Sequence, residues 1–165
     1  MKPQLGDTIL NRYTLVSSLR EEPGIQAWKA NDRVLAKDCQ LFIITNRSAF
    51  AAIDELAGRM AATRPDRVIP VLKYRMESDV LLIVMPVDSG QCLTDYMVDT
   101  AKPLSYSAIR SIIGECANVL REVIADTPSG IVITTDTVRV TTSGVQIADA
   151  PCATMLADTS ATDLR

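Results

Sequence analysis

Behind Ser105, apolar residues recur at Ile109, Ile112, Ile113, Cys116, Leu120, Val123 and Ile124, at offsets of +3, +4, +7, +11, +14 and +15 from the first. Such offsets share one side only in a chain turning every ~3.6 residues, so they predict a long amphipathic helix, stopped by Pro128-Ser129-Gly130. The chain before it carries a different pattern. Arg12 to Leu19 alternates around β-favouring residues and meets a turn cluster at Glu21-Glu22-Pro23-Gly24. Ile25 to Ala30 resumes as strand around Trp28, and Asn31-Asp32 ends it. Cys39 to Ile44 is apolar on both faces near its end, as in a central strand. Phe50, Ile53, Leu56, Ala57 and Met60 predict a helix from Ser48, with Ser48 as its cap. Val68 to Lys73 and Asp79 to Met85 read as two further strands around a turn at Arg75-Met76-Glu77-Ser78. After Asp88-Ser89-Gly90 a short helix is expected over Cys92 to Met97. Beyond the long helix, Val138 to Thr142 and Val145 to Ala148 flank Ser143-Gly144 as a hairpin. The small, polar residues from Ala157 to Arg165 predict a loose tail. This order describes an α+β chain: a five-stranded antiparallel sheet with one helix, then helices, then a β-hairpin.

Composition narrows the chemistry. The 165 residues include no histidine, which removes Ser-His-Asp and Cys-His pairs, imidazole zinc ligands and the ordinary neutral-pH base. A net charge of −3 offers no basic field for a phosphate backbone, and seven aromatics leave little to stack single strands, so nucleic acid is not an expected partner. Cys39, Cys92, Cys116 and Cys152 show no CxxC spacing and lie in apolar stretches, which fits reduced, buried thiols without a metal. The start Met1-Lys2-Pro3-Gln4 lacks the apolar run of a signal peptide. The longest apolar run, Val80 to Met85, is far short of the ~20 residues that span a bilayer, so no membrane insertion of this segment is expected.

The element order, with particular residues on it, resembles the Ser/Thr protein-kinase fold. Tyr13-Thr14-Leu15 leading to Ala27-Trp28-Lys29-Ala30 is similar to the two strands around a kinase nucleotide loop. Met85-Pro86-Val87-Asp88-Ser89-Gly90-Gln91-Cys92-Leu93 is similar to the hinge and the helix after it. Gly130-Ile131-Val132 and Ile147-Ala148-Asp149-Ala150 fall where a kinase enters its catalytic loop and carries its second metal-binding Asp. The resemblance implies a kinase-like N-lobe over 1–87, a truncated C-lobe start over 88–152, and an activation-segment-like tail over 153–165.

On that alignment the catalytic set is degenerate. A kinase loop needs glycines so that backbone N–H groups can lie against phosphate. The three glycine positions fall on Arg20, Glu22 and Ile25, with Gly24 one place out of register. Phe42 takes the place of the phosphate-pairing Lys; Lys37 is expected outside the strand. Phe42 reads as core packing, which is compatible with plugging the cleft. Glu55, or Asp54, occupies the place of the helix Glu without its Lys partner. Ile133-Thr134-Thr135-Asp136-Thr137-Val138 offers neither the His nor the Asn of the catalytic loop, and Asp136 serves as a base only by forcing a gap. Asp149 holds the metal-Asp position, yet Ala150-Pro151 follows it; a turn carboxylate is favoured over a metal ligand. The chain therefore reads as a pseudokinase, with no catalytic residues, metal or cofactor expected.

Arg12-Tyr13-Thr14-Leu15, Gln26-Ala27-Trp28-Lys29-Ala30, Thr137-Val138-Arg139-Val140 and Asp163-Leu164-Arg165 more closely resemble one family: the cytoplasmic pseudokinase domain attached to the actinobacterial lipid II flippase (MviN/MurJ type). That resemblance implies a scaffold in peptidoglycan-synthesis signalling, held at the inner face of the plasma membrane through a parent membrane protein. It implies a Ser/Thr kinase as modifier and a forkhead-associated domain as reader of a phosphothreonine. Thr159 and Thr162 match the phosphoacceptor region, with Thr154 less favoured. The alternative is a nucleotide-binding regulatory domain without phosphotransfer.

Overall fold

The structure is a computed structural model that describes residues 2–77, 79–99, 103–126 and 131–153 of the chain. The chain divides into two compact units, Met1–Ala61 with Val71–Val87 and Ala62–Pro70 with Asp88–Arg165. The expected tail, 153–165, lies outside the described residues apart from Ala153, and so does the expected helix stop at Pro128-Ser129-Gly130.

In the first unit, strands β1 (Thr8–Ile9), β2 (Tyr13–Glu22), β3 (Ile25–Asp32), β4 (Lys37–Ile44), β5 (Lys73–Glu77) and β6 (Val80–Pro86) form one antiparallel sheet in the order β1-β2-β3-β4-β6-β5. Five are full strands, and β1 adds a two-residue ladder beside β2. One strand expectation, Val68 to Lys73, is corrected: Val68 to Leu72 is a connector, and the strand is β5, which begins at Lys73. Val68, Ile69 and Val71 are buried, and the Ile69 N–H donates to the Ile147 carbonyl at 2.8 Å, so their apolar character reflects burial in a link. The exposed edge strand β5 alternates charged residues and carries little apolar signal.

Side-chain alternation sorts the central strands. Tyr13, Leu15, Trp28, Ala30, Cys39, Leu41, Ile43, Leu82 and Val84 form one cluster of buried residues. Ala27, Phe42, Ile44, Leu81, Ile83 and Met85 have the opposite parity and are also buried, so β4 and β6 are covered on both faces. The helix cap is Asn46, not Ser48. Its side-chain oxygen accepts from the Ser48 N–H at 3.1 Å, starting a 3-10 turn (Arg47–Ala49) that runs into α1 (Phe50–Thr63). Phe50, Ile53, Ala57 and Met60 are the buried residues of α1.

The second unit contains β7 (Gln91–Cys92), α2 (Leu93–Asp99), α3 (Tyr106–Asp126), β8 (Val138–Thr141) and β9 (Gly144–Ile147), the three strands forming an antiparallel sheet in the order β7-β8-β9. The hairpin turn is Thr142-Ser143, one residue earlier than expected, and Gly144 opens β9 at φ +125°. The apolar stripe of α3 is divided. Of its residues Val123 is buried, as is Val119, which is not among those expected, whereas Ile109, Ile113 and Ile124 are exposed. Ile109, Ile112 and Ile113 line an apolar groove of about 400 Å³ with Leu93, Met97, Pro103 and Leu104.

Candidate functional site

The turn between β2 and β3 is the segment that the sequence alignment places over nucleotide. Its residues are fixed by their own neighbours. Arg20 lies opposite Ala27 and Glu22 opposite Ile25. The Arg20 Nε donates to Glu22 Oε1 at 3.4 Å, a loose ion pair along the strand, and Ile25 is buried. Gly24 adopts φ +77°, a conformation that costs an L-residue roughly 1–2 kcal/mol, and its carbonyl accepts from the Thr45 and Asn46 N–H groups at 2.9 and 3.3 Å. A Cβ on Gly24 would come within 2.8 Å of the Asn46 Cβ. The turn is thus pinned to the start of the helical segment.

Phe42 is 1% exposed and lies between Ala27 of β3 and Ile83 of β6 in the ladder. Lys37 is not outside the strand, as expected, but is its first residue, opposite Asp32. Five positions separate Lys37 from Phe42, so strand alternation directs it to the opposite face. Glu55 is exposed and pairs with Arg59 one turn further along α1. Among the described residues, no group of three or more His, Cys, Asp or Glu side chains is arranged to hold a metal ion.

In the second unit, Asp149 is 5% exposed at φ +56°, in the left-handed region, just after β9. Its Oδ2 lies 3.6 Å from Arg139 Nη2. The same guanidinium donates from Nε to Asp88 Oδ2 at 2.8 Å and from Nη1 to the Asp136 carbonyl at 2.5 Å. Burial works against the charge of Arg139, but Asp149 and Asp88 outweigh it and raise its pKa above the ordinary value. Gly90 permits this arrangement, since a Cβ there would sit 2.6 Å from the Arg139 Cβ. Asp136 itself accepts from Thr94 Oγ1 at 2.7 Å. Asp149 and Asp136 therefore belong to one polar cluster organised by Arg139. Thr154, Thr159 and Thr162 lie outside the described residues.

No family model matches the sequence, and no curated protein matches it. Solved structures do. The kinase domain of Mycobacterium tuberculosis PknI, in a single-substitution form, superposes with a TM-score of 0.76 at 16% identity, covering 93% of this chain and 64% of that domain. A double-substitution form of the same domain gives 0.75 at 16% identity over 93% and 63%. The chain has a protein-kinase-like fold. It spans just under two thirds of the length of those kinase domains.

Two features of the site escape sequence reasoning. Arg139 is one cation in a short apolar strand, and only the topology brings Asp88 and Asp149, 51 and 10 residues away, to the same side chain. The clasp of Gly24 by Thr45 and Asn46 joins segments 21 residues apart. A glycine in a Pro-Gly turn signals the positive φ but not its partner.

Proposed function

We propose that this kinase-like domain does not transfer phosphate and acts as a regulatory scaffold in cell-wall (peptidoglycan) synthesis signalling, recruiting a partner that reads phosphothreonine. The observation that carries the non-catalytic reading is Phe42. A phosphate-pairing ammonium is replaced there by a hydrocarbon ring inside the sheet, and the strand's own Lys37 has the wrong parity to substitute. The other positions agree. Arg20 and Glu22 put side chains where backbone N–H groups would meet phosphate, and the two pair with each other there. Asp149 is engaged by Arg139, so a divalent ion would have to compete with a resident cation. Magnesium–ATP does not fit this set.

The scaffold role, the membrane-tethered parent and the phosphothreonine reader rest on the family resemblance in the sequence. No described helix is long and apolar enough to cross a membrane. A thermal-shift titration with Mg–ATP, and with ATP plus EDTA, tests the cleft. No change in midpoint is expected, whereas ligand at 100 times its Kd would stabilise by about 2.7 kcal/mol and overturn the reading. Incubation with a transmembrane Ser/Thr kinase is expected to phosphorylate the 154–162 segment and create binding to a forkhead-associated domain. Phosphate mapping elsewhere, or phosphate without binding, refutes the scaffold.

A further inference from the structure

The turn joining β3 to β4, Arg33-Val34-Leu35-Ala36, ends the central hairpin of the sheet with its apolar residues outward. Val34 is 69% and Leu35 59% exposed. Isolated exposed apolar residues are ordinary on a protein surface; two adjacent at a tip, with a cation on each side, are a more specific pattern. Arg33 and Lys37 flank them, both exposed, and neither has an ion-pair partner among the described residues.

The carboxylates nearby are already engaged. Asp32 takes both forks of Arg12, Nε at 2.9 Å and Nη2 at 2.6 Å. Asp38 takes Lys29 at 2.9 Å and the Asn31 amide at 3.2 Å. Arg12, Lys29, Arg33 and Lys37 against Asp32 and Asp38 leave a local excess of two positive charges, in a chain whose net charge is −3. The tip is also held in shape. Asp32 Oδ1 accepts from the Val34 and Leu35 N–H groups at 3.0 and 3.3 Å, and the Arg33 N–H donates to the Arg12 carbonyl at 2.9 Å. A preorganised tip loses little conformational freedom on docking.

We infer that this hairpin tip docks on an anionic lipid surface, with Val34 and Leu35 entering the headgroup boundary and Arg33 and Lys37 meeting the lipid phosphates. An apolar pair flanked by cations matches both layers of that interface. This is contact with the surface and not a span. It departs from the expectation of no membrane insertion, which rested on the length of apolar runs. It is also independent of the state of the nucleotide positions.

Sedimentation of the 165-residue chain with vesicles of phosphatidylcholine alone, and of phosphatidylcholine with phosphatidylserine, tests the inference. Binding is expected to the anionic vesicles, weakening as salt rises. Arg33→Gln with Lys37→Gln is expected to lower the partition coefficient about 30-fold. Val34→Ser with Leu35→Ser is expected to lower it roughly tenfold. All four side chains are exposed, so thermal midpoints should stay unchanged and confirm folding. Equal partition into neutral vesicles, undiminished binding in both tip variants, or no sedimentation overturns it; a tip that instead bound a protein partner would give the last of these.

Discussion

Replacing Phe42 by Lys asks directly whether position 42 is sheet core or an open cleft position. The ring is 1% exposed, with Ala27 and Ile83 opposite it in the ladder. Phe42→Ala removes the ring and leaves a cavity, at a cost of about 3–5 kcal/mol. Phe42→Lys adds a charge problem. An unfolded lysine has a pKa near 10.4, and a fully buried one falls by as much as 3–5 units. At 1.36 kcal/mol per unit, keeping the lysine charged, or shedding its proton where the folded pKa lies below 7, then costs about 4–5 kcal/mol at pH 7 beyond the lost packing. A folded pKa below the unfolded one means that the native state binds fewer protons, so stability rises with pH between the two values. Set against a total stability of about 5–15 kcal/mol, Phe42→Lys should largely unfold the first unit at pH 7 and recover part of its stability by pH 10. The lone Trp28 lies in that unit and is buried, so its fluorescence in urea reads the transition. With a slope of about 2 kcal/mol/M, Phe42→Ala should lower the midpoint by about 2 M. If Phe42→Lys matches Phe42→Ala at pH 7, shows no dependence on pH and gains a thermal shift with Mg–ATP, position 42 faces solvent and the core assignment fails.

Gly24→Ala should cost about 2 kcal/mol or more, because it combines a positive φ with a Cβ clash against Asn46; urea melts read it, and a neutral outcome would deny the clasp. The Arg12 hydrogen bond, above all, holds the Asp32 carboxyl below its usual pKa, with the Val34 and Leu35 N–H groups adding to the effect. That contribution is full above the ordinary carboxylate range and is lost as pH falls through the depressed value, so Asp32→Asn should flatten the acid limb of the stability profile. Burial, with Asp32 and Asp38 adding, pushes the Cys39 thiol up to about 11. Cys39 and the buried Cys152 should therefore react with a thiol reagent only on unfolding, while the half-buried Cys92 and Cys116 react first; rapid native labelling at Cys39 would contradict the packing.

The sequence made the strand-rich first half and the long helix legible because both rest on local periodicity. It misplaced β5 for the same reason. Val68, Ile69 and Val71 are apolar because a connector is buried, and periodicity does not separate that from a strand. The α3 stripe was visible, but its period says nothing of how much of the face is covered. Val119 and Val123 are buried, while Ile109 and Ile113 face a groove. Asn46 replaced Ser48 as the cap because the helical segment opens with a 3-10 turn ahead of α1. At the candidate site, the residue types at positions 20, 22, 25, 42 and 149 could be read along the chain. The Arg20–Glu22 and Glu55–Arg59 pairs follow from local spacing along a strand and a helix, but the pairing of Asp149 with Arg139 could not be read, since it depends on which side chains the fold brings within reach.

The clasp at Gly24 carries a consequence for sequence change. One carbonyl serves two amides, and the residue supplying the second of them also caps the helical segment. A larger residue at position 24 would demand a smaller one at position 46, and a smaller one at 46 forfeits the side-chain oxygen that starts the helix. Positions 24 and 46 should therefore vary together or not at all. Across relatives of this chain, a non-glycine at 24 is expected only where the helical segment is capped by some other residue.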